Sequence, residues 1–240
     1  MDYLVTGAAG FIGFHLAQKL LEQNHSVLGI DNFNKYYPTV LKEHRFKILE
    51  NYPKFIGKRL DLCNFNELDD CFKNFSPEKI FHLAAQPGVR YSIINPFSYQ
   101  KSNLEAFLSI LEVVRKYKIK KLVYASSSSV YGNITETPYI ETQNVDTPIS
   151  LYAATKRANE IMAYTYTHLY GIQTIGLRFF TVYGPAGRPD MAIWKFADSI
   201  LRNETIEVYH SGEAKRDFTY ISDIVSGALS SMERDRKSVV

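Results

Sequence analysis

Cysteine is nearly absent from this chain, with two residues in 240, Cys63 and Cys71. Two thiols form neither a disulfide framework nor the spacing of a metal site, so no metal is expected. They read as small apolar fillers in a reducing compartment. Long hydrophobic runs are missing as well: none approaches the ~18 residues that a membrane span needs. The N-terminus enters a short strand pattern without the charged and apolar regions of a signal peptide. The expected location is the cytoplasm, away from membranes. An excess of either charge is also lacking, since 28 Lys and Arg stand against 25 Asp and Glu, for a net +3. The basic residues are scattered and give no electrostatic footprint for nucleic acid. Internal repeats and low-complexity tracts do not occur. What remains is an ordinary globular composition, 45% hydrophobic and 22% charged. That suffices for one large domain, or a main domain with a smaller appendage.

Short β-rich runs alternate with longer helical patterns. The runs are Tyr3–Thr6, Ser26–Ile30, Lys54–Ile56, Lys79–His82, Lys121–Tyr124 and Gln173–Arg178, with helical stretches near 11–22, 39–50, 65–74, 97–116 and 151–169 between them. Asn64 and Asn95-Pro96 supply helix starts, and Ser76-Pro77 separates elements. Such alternation predicts a parallel sheet with helices on both faces. Ligands of these sheets bind outside the carboxyl ends of the strands, where strand order reverses. From 181 onward the rhythm breaks: GPAGRPD forms a turn, followed by a helix near 191–201, a short strand at 206–209 and a helix near 221–232. We therefore expect an α/β chain in two parts. Residues 1–180 form a doubly wound, Rossmann-like dinucleotide domain. Residues 181–240 form part of a smaller, interleaved substrate region, with helix 221–232 packed back on the first part. The chain closes in a charged tail, ERDRKSVV.

The first motif is VTGAAGFIGFHLA, which joins the first strand to the first helix. Gly7, Gly10 and Gly13 let the backbone turn tightly and approach a pyrophosphate, whose charge a helix N-terminus favours. The spacing is GxxGxxG, and alone such a turn could be purely structural. Asp31 strengthens the reading, because a carboxylate ending the second strand about 20 residues on binds the adenosine ribose. It would also repel a 2′-phosphate, and no arginine follows at once, so NAD is favoured over NADP. Asn32, Asp61 with Leu62, and Leu83, Ala84 and Ala85 lie at further carboxyl ends, suited to adenine and backbone contacts. His82, on an apolar strand, reads as a core histidine rather than a catalyst.

The second motif is SLYAATKRANE, which sets Tyr152 and Lys156 four residues apart on one helical face. A phenol with pKa ~10 is a poor base at neutral pH. Lowering it by about three units takes roughly 4 kcal/mol of differential stabilisation, within reach of two cations in a dehydrated cleft. In isolation this pair is common on exposed helices. Here it follows the apolar strand KLVYA and the serine tract ASSSSVYG, 125–132. A tract that begins where a core strand stops is not a linker.

Together the glycine turn, Asp31, the loop ending VYG, the Tyr152-x-x-x-Lys156 pair and RDFTY at 216–220 resemble the extended short-chain dehydrogenases/reductases. Within these the chain resembles the NAD-dependent sugar-nucleotide epimerases and dehydratases, over essentially its whole length. GIDNFNKYY, HLAAQPGVRYSI, YASSSSVYG, SLYAATK and LRFFTVYGPAGRPDMA are most similar to UDP-glucuronate 4-epimerases. The resemblance implies that bound NAD is a recycled oxidant and that a UDP-sugar is the substrate. Tyr152 would take the proton of the 4-hydroxyl while C4 gives up a hydride, and the 4-keto sugar would turn before the hydride returns. Lys156 would stabilise the phenolate and bind the nicotinamide ribose, and Ser127 would hydrogen-bond the 4-oxygen. Asn103 matches an active-site asparagine, Arg216 would clamp the diphosphate, and Thr181 and Arg188 match contacts to the sugar carboxylate. Arg90 could add positive potential, and Ser126 and Ser128 would meet the nicotinamide surroundings or the carboxylate. Helices 97–116 and 151–169 would pair two subunits; Ile161 and Met162 permit this on the outer face of the second but could equally be core.

Rival activities fail on specific positions. The related 4,6-dehydratases carry an Asp-Glu pair before VYG, where this chain has Ser128 and Ser129, and UDP-glucuronate decarboxylases carry a glutamate where Ser129 stands. Decarboxylation is therefore a distant second, a 4-epimerase of neutral sugars stays open, and so does a catalytically silent NAD-binding protein. Relatives continue beyond the length of this chain, so apolar surface and part of the sugar pocket are expected to be left uncovered.

Overall fold

The computed structural model describes residues 1–213 and 215–234. Six strands form one parallel sheet: β1 (Asp2–Thr6), β2 (Ser26–Asp31), β3 (Phe55–Arg59), β4 (Lys79–His82), β5 (Lys121–Ser127) and β6 (Gln173–Phe179). Their order is β3-β2-β1-β4-β5-β6. Growth of the sheet reverses between β1 and β4, which opens a crevice at their carboxyl ends. Alternate strand residues feed two cores. Val5, Val27, Phe81 and Val123 face α1 (Phe11–Glu22), whereas Leu4, Leu28, Ile80 and Leu122 face the opposite side. That opposite side is covered by α3 (Phe65–Phe75) and α6 (Ala106–Lys116). Full burial of each such side chain contributes about 1.5–3 kcal/mol.

The helix starts follow the local chemistry. Asn64 caps α3, accepting from the amide of Glu67 and donating to its Oε1 at 2.6 Å. Ser150 caps α7 (Leu151–Tyr170), accepting from Ala153 N at 3.1 Å, and Gly171 ends that helix at φ +67. α2 (Val40–Glu50) lies between β2 and β3. The stretch expected as one helix over 97–116 is composite. After α4 (Tyr91–Ile94) and α5 (Pro96–Tyr99), residues Gln100–Glu105 form a π-helical turn that runs into α6.

In the smaller region, β7 (Thr181–Tyr183) is followed by α8 (Ala192–Leu201), β8 (Phe218–Tyr220) and α9 (Ile221–Glu233). The strand expected at 206–209 does not form. The edge of β7 pairs instead with β8, Thr181 opposite Phe218; among the described residues IEVY joins no strand, and Val208 is exposed. α9 packs on α1 through Ile221, Val225, Ala228 and Met232. Residues 235–240 of the charged tail lie outside the described residues. No described helix is long and apolar enough to cross a membrane.

Candidate active site

The glycine turn is forced by close approach. Gly7 stands at φ +70, and a Cβ there would lie 2.9 Å from Ala84 N. A Cβ on Gly13 would lie 2.1 Å from Gly7 O. The turn is pinned by Gly7 N donating to Ile30 O at 2.7 Å and Gly10 N to Gly7 O at 2.8 Å. Because Gly10 is the N-cap of α1 and offers no side chain, the first amides of the helix, at Phe11, Ile12 and Gly13, remain available to an anion. These residues line one cleft of roughly 1330 Å³ together with Asp31, Asn32, Asp61, Leu62, Leu83, Ala84 and Ala85.

Asp31 is buried and already useful to the turn. Its Oδ2 accepts from Ala9 N at 3.2 Å and its Oδ1 from Phe33 N at 2.8 Å. Lys42, which sequence reasoning missed, comes within 3.7 Å of Oδ1 and donates to Asn34 Oδ1 at 2.9 Å. A cation near the second strand was sought only directly after Asp31; it arrives from the next helix. Asp61 Oδ1 accepts from Cys63 N at 3.1 Å, and Lys101 lies 3.5 Å from Oδ2. Thr6 Oγ1 holds the end of β4 by accepting from Leu83 N and Ala84 N, and it meets His82 Nδ1 at 2.9 Å. His82 is thus a core histidine, its pKa lowered to about 3, chiefly by burial.

On the far side, Tyr152 in the first turn of α7, Ser127 at the end of β5 and Lys156 all line the cleft. Burial pushes the Tyr152 phenol up, while a hydrogen bond from Ser127 and the charge of Arg188 pull it down. Lys156 donates its ammonium to Ala125 O at 2.8 Å, and burial lowers it to about 8. Ser127 Oγ accepts from Ser129 N at 3.2 Å and Ser129 Oγ at 2.8 Å. Ser128 and Ser129 also face the cleft. Ser126 turns its hydroxyl away, donating to Glu160 Oε1 at 2.6 Å.

Thr181, Arg188 and Arg216 complete the wall. Arg188 binds Asp190 bidentately, Nε to Oδ1 at 3.0 Å and Nη2 to Oδ2 at 2.5 Å, and Tyr36 donates to Oδ2 at 3.0 Å. Burial and Asp190 raise Tyr36 to about 12. Arg216 is exposed, and Nη1 donates to Lys215 O at 2.7 Å. Two expected contacts do not reach the cleft lining. Arg90 is exposed at the start of α4. Asn103 is 2% exposed: its Oδ1 accepts from Gln86 N at 2.7 Å, and its Nδ2 donates to Gln86 O at 3.2 Å and Thr155 Oγ1 at 3.0 Å. Its own carbonyl, within the π-turn, accepts from Asn159 Nδ2 at 2.7 Å. Asn103 therefore braces the loop after β4 against α7, its side-chain bonds spent internally.

Comparison with known proteins places this geometry. A model of the NAD dependent epimerase/dehydratase family matches residues 3–240. The chain is 54% identical over 236 residues to an uncharacterized protein of Methanocaldococcus jannaschii, covering 98% of this chain and 72% of that one. It is 47% identical over 229 residues to a probable UDP-glucuronate 4-epimerase of Rhizobium meliloti, covering 95% and 67%. Among solved structures, UDP-glucuronic acid 4-epimerase from Bacillus cereus, in complex with UDP-glucuronic acid and NAD, superposes with a TM-score of 0.92. That pair is 35% identical, over 100% of this chain and 76% of the other.

Proposed function

The chain belongs to the NAD dependent epimerase/dehydratase family, and from that premise we propose that it converts UDP-glucuronate to UDP-galacturonate by inversion at C4. The observation that carries this reading is one cleft lined by both the glycine turn and the Tyr152, Ser127, Arg188 cluster. The names of its relatives supply the substrate.

The residues present fit NAD. The first amides of α1 follow an N-cap, Gly10, that has no side chain to occupy them, and the oxygens of Asp31 keep lone pairs for ribose hydroxyls beyond the two amides they accept. Gly7, Gly10, Gly13, Phe11 and Ile12 would hold the pyrophosphate, Asp31 and Asn32 the adenosine ribose, and Asp61 and Leu62 the adenine end. Leu83, Ala84 and Ala85 would wall the middle, and Lys156 would hold the nicotinamide ribose. Bound NAD supplies a hydride acceptor for C4 and a fixed positive charge.

The chain does the rest. Tyr152 takes the proton from the 4-hydroxyl and returns it, becoming a competent base only as positive charge beside it offsets its burial. Ser127 holds the 4-oxygen, and Arg216 clamps the diphosphate. Oxidation at C4 makes a glucuronate a β-keto acid, which loses CO2 when the C5–carboxylate bond stands perpendicular to the carbonyl plane. Thr181, Ser128 and Arg188 hold that bond away from the perpendicular. Arg188 engages Asp190 through Nε and Nη2, which leaves Nη1 outside the pair. Dehydration or decarboxylation would need a carboxylate from the serine loop. The carboxylates lining the cleft are instead Asp31, Asp61 and Asp217.

On the same reading, residues 1–180 bind the cofactor and residues 181–240 help bind the sugar. The protein works in the cytoplasm as a homodimer through α6 and α7. Leu108, Ile161 and Tyr164 are 44%, 52% and 62% exposed on these helices. Met162 takes the core alternative and packs against the second core. Sedimentation at micromolar concentration tests the dimer. Incubation with UDP-glucuronate, and with UDP-glucose for comparison, followed by product identification tests the activity. NAD binding without turnover would favour a silent protein, and turnover of UDP-glucose alone a neutral-sugar epimerase.

A further inference from the structure

Two helices on the cofactor side reach across to the loop that carries Arg188. His15 on α1 meets the carbonyl of Pro185 at 2.9 Å. Arg45 on α2 takes the next two carbonyls. Its Nε and Nη2 converge on Ala186 O at 3.1 and 2.7 Å, and Nη2 also reaches Gly187 O at 3.0 Å. The remaining nitrogen, Nη1, donates to Ala9 O in the glycine turn at 3.1 Å and to Tyr37 Oη at 3.0 Å.

All five N–H donors of a guanidinium are thereby engaged. Arg45 is 0% exposed, yet these partners are three carbonyls and a phenol, none a carboxylate. A cation buried so deeply is costly unless every donor is met and something depends on the arrangement. What depends on it is the loop. Ala186 sits at φ +53, a left-handed conformation uncommon outside glycine, and in it the Ala186 carbonyl receives two of the Arg45 donors.

We propose that Arg45 is a positioning residue that straps the sugar-side loop, 184–188, to the dinucleotide turn through Ala9, and so fixes the approach of Arg188 to Tyr152. The cofactor turn and the substrate loop then move as one body. A lysine would not replace it, because a point charge cannot bridge Ala9 and two successive carbonyls at once. The part concerning Arg188 rests on the function proposed above; the strap itself does not.

Hydrogen exchange on the full chain with NAD tests the strap without turnover. Arg45→Met should speed exchange in residues 184–191 about tenfold or more, while β1 and β5 keep their protection. Arg45→Lys carries the same expectation should the methionine variant fail to fold. In binding and turnover with UDP-glucuronate, Arg45→Met should raise KM at least about tenfold. Arg188→Ala should then cost far less in that background than in the native chain. Adding Ala186→Gly to Arg45→Met should restore part of the lost affinity, since glycine adopts positive φ freely, a recovery that a mere packing role would not give. Unchanged loop exchange, exchange quickened throughout the sheet, or additive effects of Arg45 and Arg188 would overturn the proposal. Loop exchange that responds as expected in a protein that leaves UDP-glucuronate untouched would keep the strap and sink the proposed substrate.

Discussion

Replacing Glu160 with glutamine removes a carboxylate on which three side chains converge beneath the serine loop. Arg178 binds its two oxygens at 2.9 and 3.0 Å, Arg157 one of them at 3.1 Å, and Ser126 donates at 2.6 Å. The Glu160 side chain is 1% exposed and that of Arg178 6%. Burial alone would push this carboxyl up, but Arg178, Ser126 and Arg157 outweigh it and hold it below the usual range. Glutamine keeps the shape and can still accept from Ser126, yet it leaves the Arg178 guanidinium buried without its counter-charge. Breaking such a pair costs about 3–5 kcal/mol. At about 2–4 °C per kcal/mol for a chain of this size, Tm should fall by roughly 6–20 °C at pH 7. The folded pKa is depressed, so the contribution is complete above the unfolded value near 4.5 and is lost as pH falls through the folded one. The Tm values of the native chain and Glu160→Gln should therefore converge on acidification. Thermal unfolding followed by circular dichroism from pH 7 downward measures both. A loss below about 3 °C at pH 7, outside the range the cited cost allows, or a gap that persists undiminished in acid would refute the reasoning.

Gly13→Ala would place a Cβ 2.1 Å from Gly7 O, and the displaced turn should weaken NAD binding about 5- to 150-fold by calorimetry, as an overpacking cost of about 1–3 kcal/mol implies. Tyr152→Phe should lower kcat by at least about 10²-fold while NAD and UDP-glucuronate still bind; turnover near the native rate would exclude Tyr152 as the base. Burial lowers Lys156 to about 8 from 10.5, so between those values the unfolded chain binds more protons than the folded one. Stability from that group should climb with pH over this window, and Lys156→Met should remove the climb from denaturant unfolding curves.

Much of the fold is legible in local chemistry. Asn64 and Asn95 mark helix starts through bonds made within a few residues, and the period of two in each strand sorts Leu4 from Val5 and Leu122 from Val123. The glycine turn is legible for the same reason, since Gly7, Gly10 and Gly13 answer to contacts within the turn and to Ala84. The errors are tertiary. IEVY at 206–209 and FTY at 218–220 have similar strand character, and the edge of β7 chose between them. Asn103 matches an active-site asparagine of the family, and its bonds to Gln86 and Thr155, 17 and 52 residues away, are not legible in the sequence. Tyr36, Asp190 and Arg45 escaped notice because their partners are distant in sequence: Arg45 meets Ala186 across 141 residues and Tyr36 meets Asp190 across 154.

The central claim is that Tyr152 and the NAD-cradling turn serve one inversion at C4 with the sugar carboxylate retained. Incubating the NAD-loaded chain with UDP-glucuronate carrying a 13C-labelled carboxylate, and following it by NMR, tests this most directly. The account predicts a mixture of UDP-glucuronate and UDP-galacturonate that keeps the label and evolves no labelled CO2. A UDP-pentose with release of the label, or unchanged substrate while NAD is demonstrably bound, would contradict it.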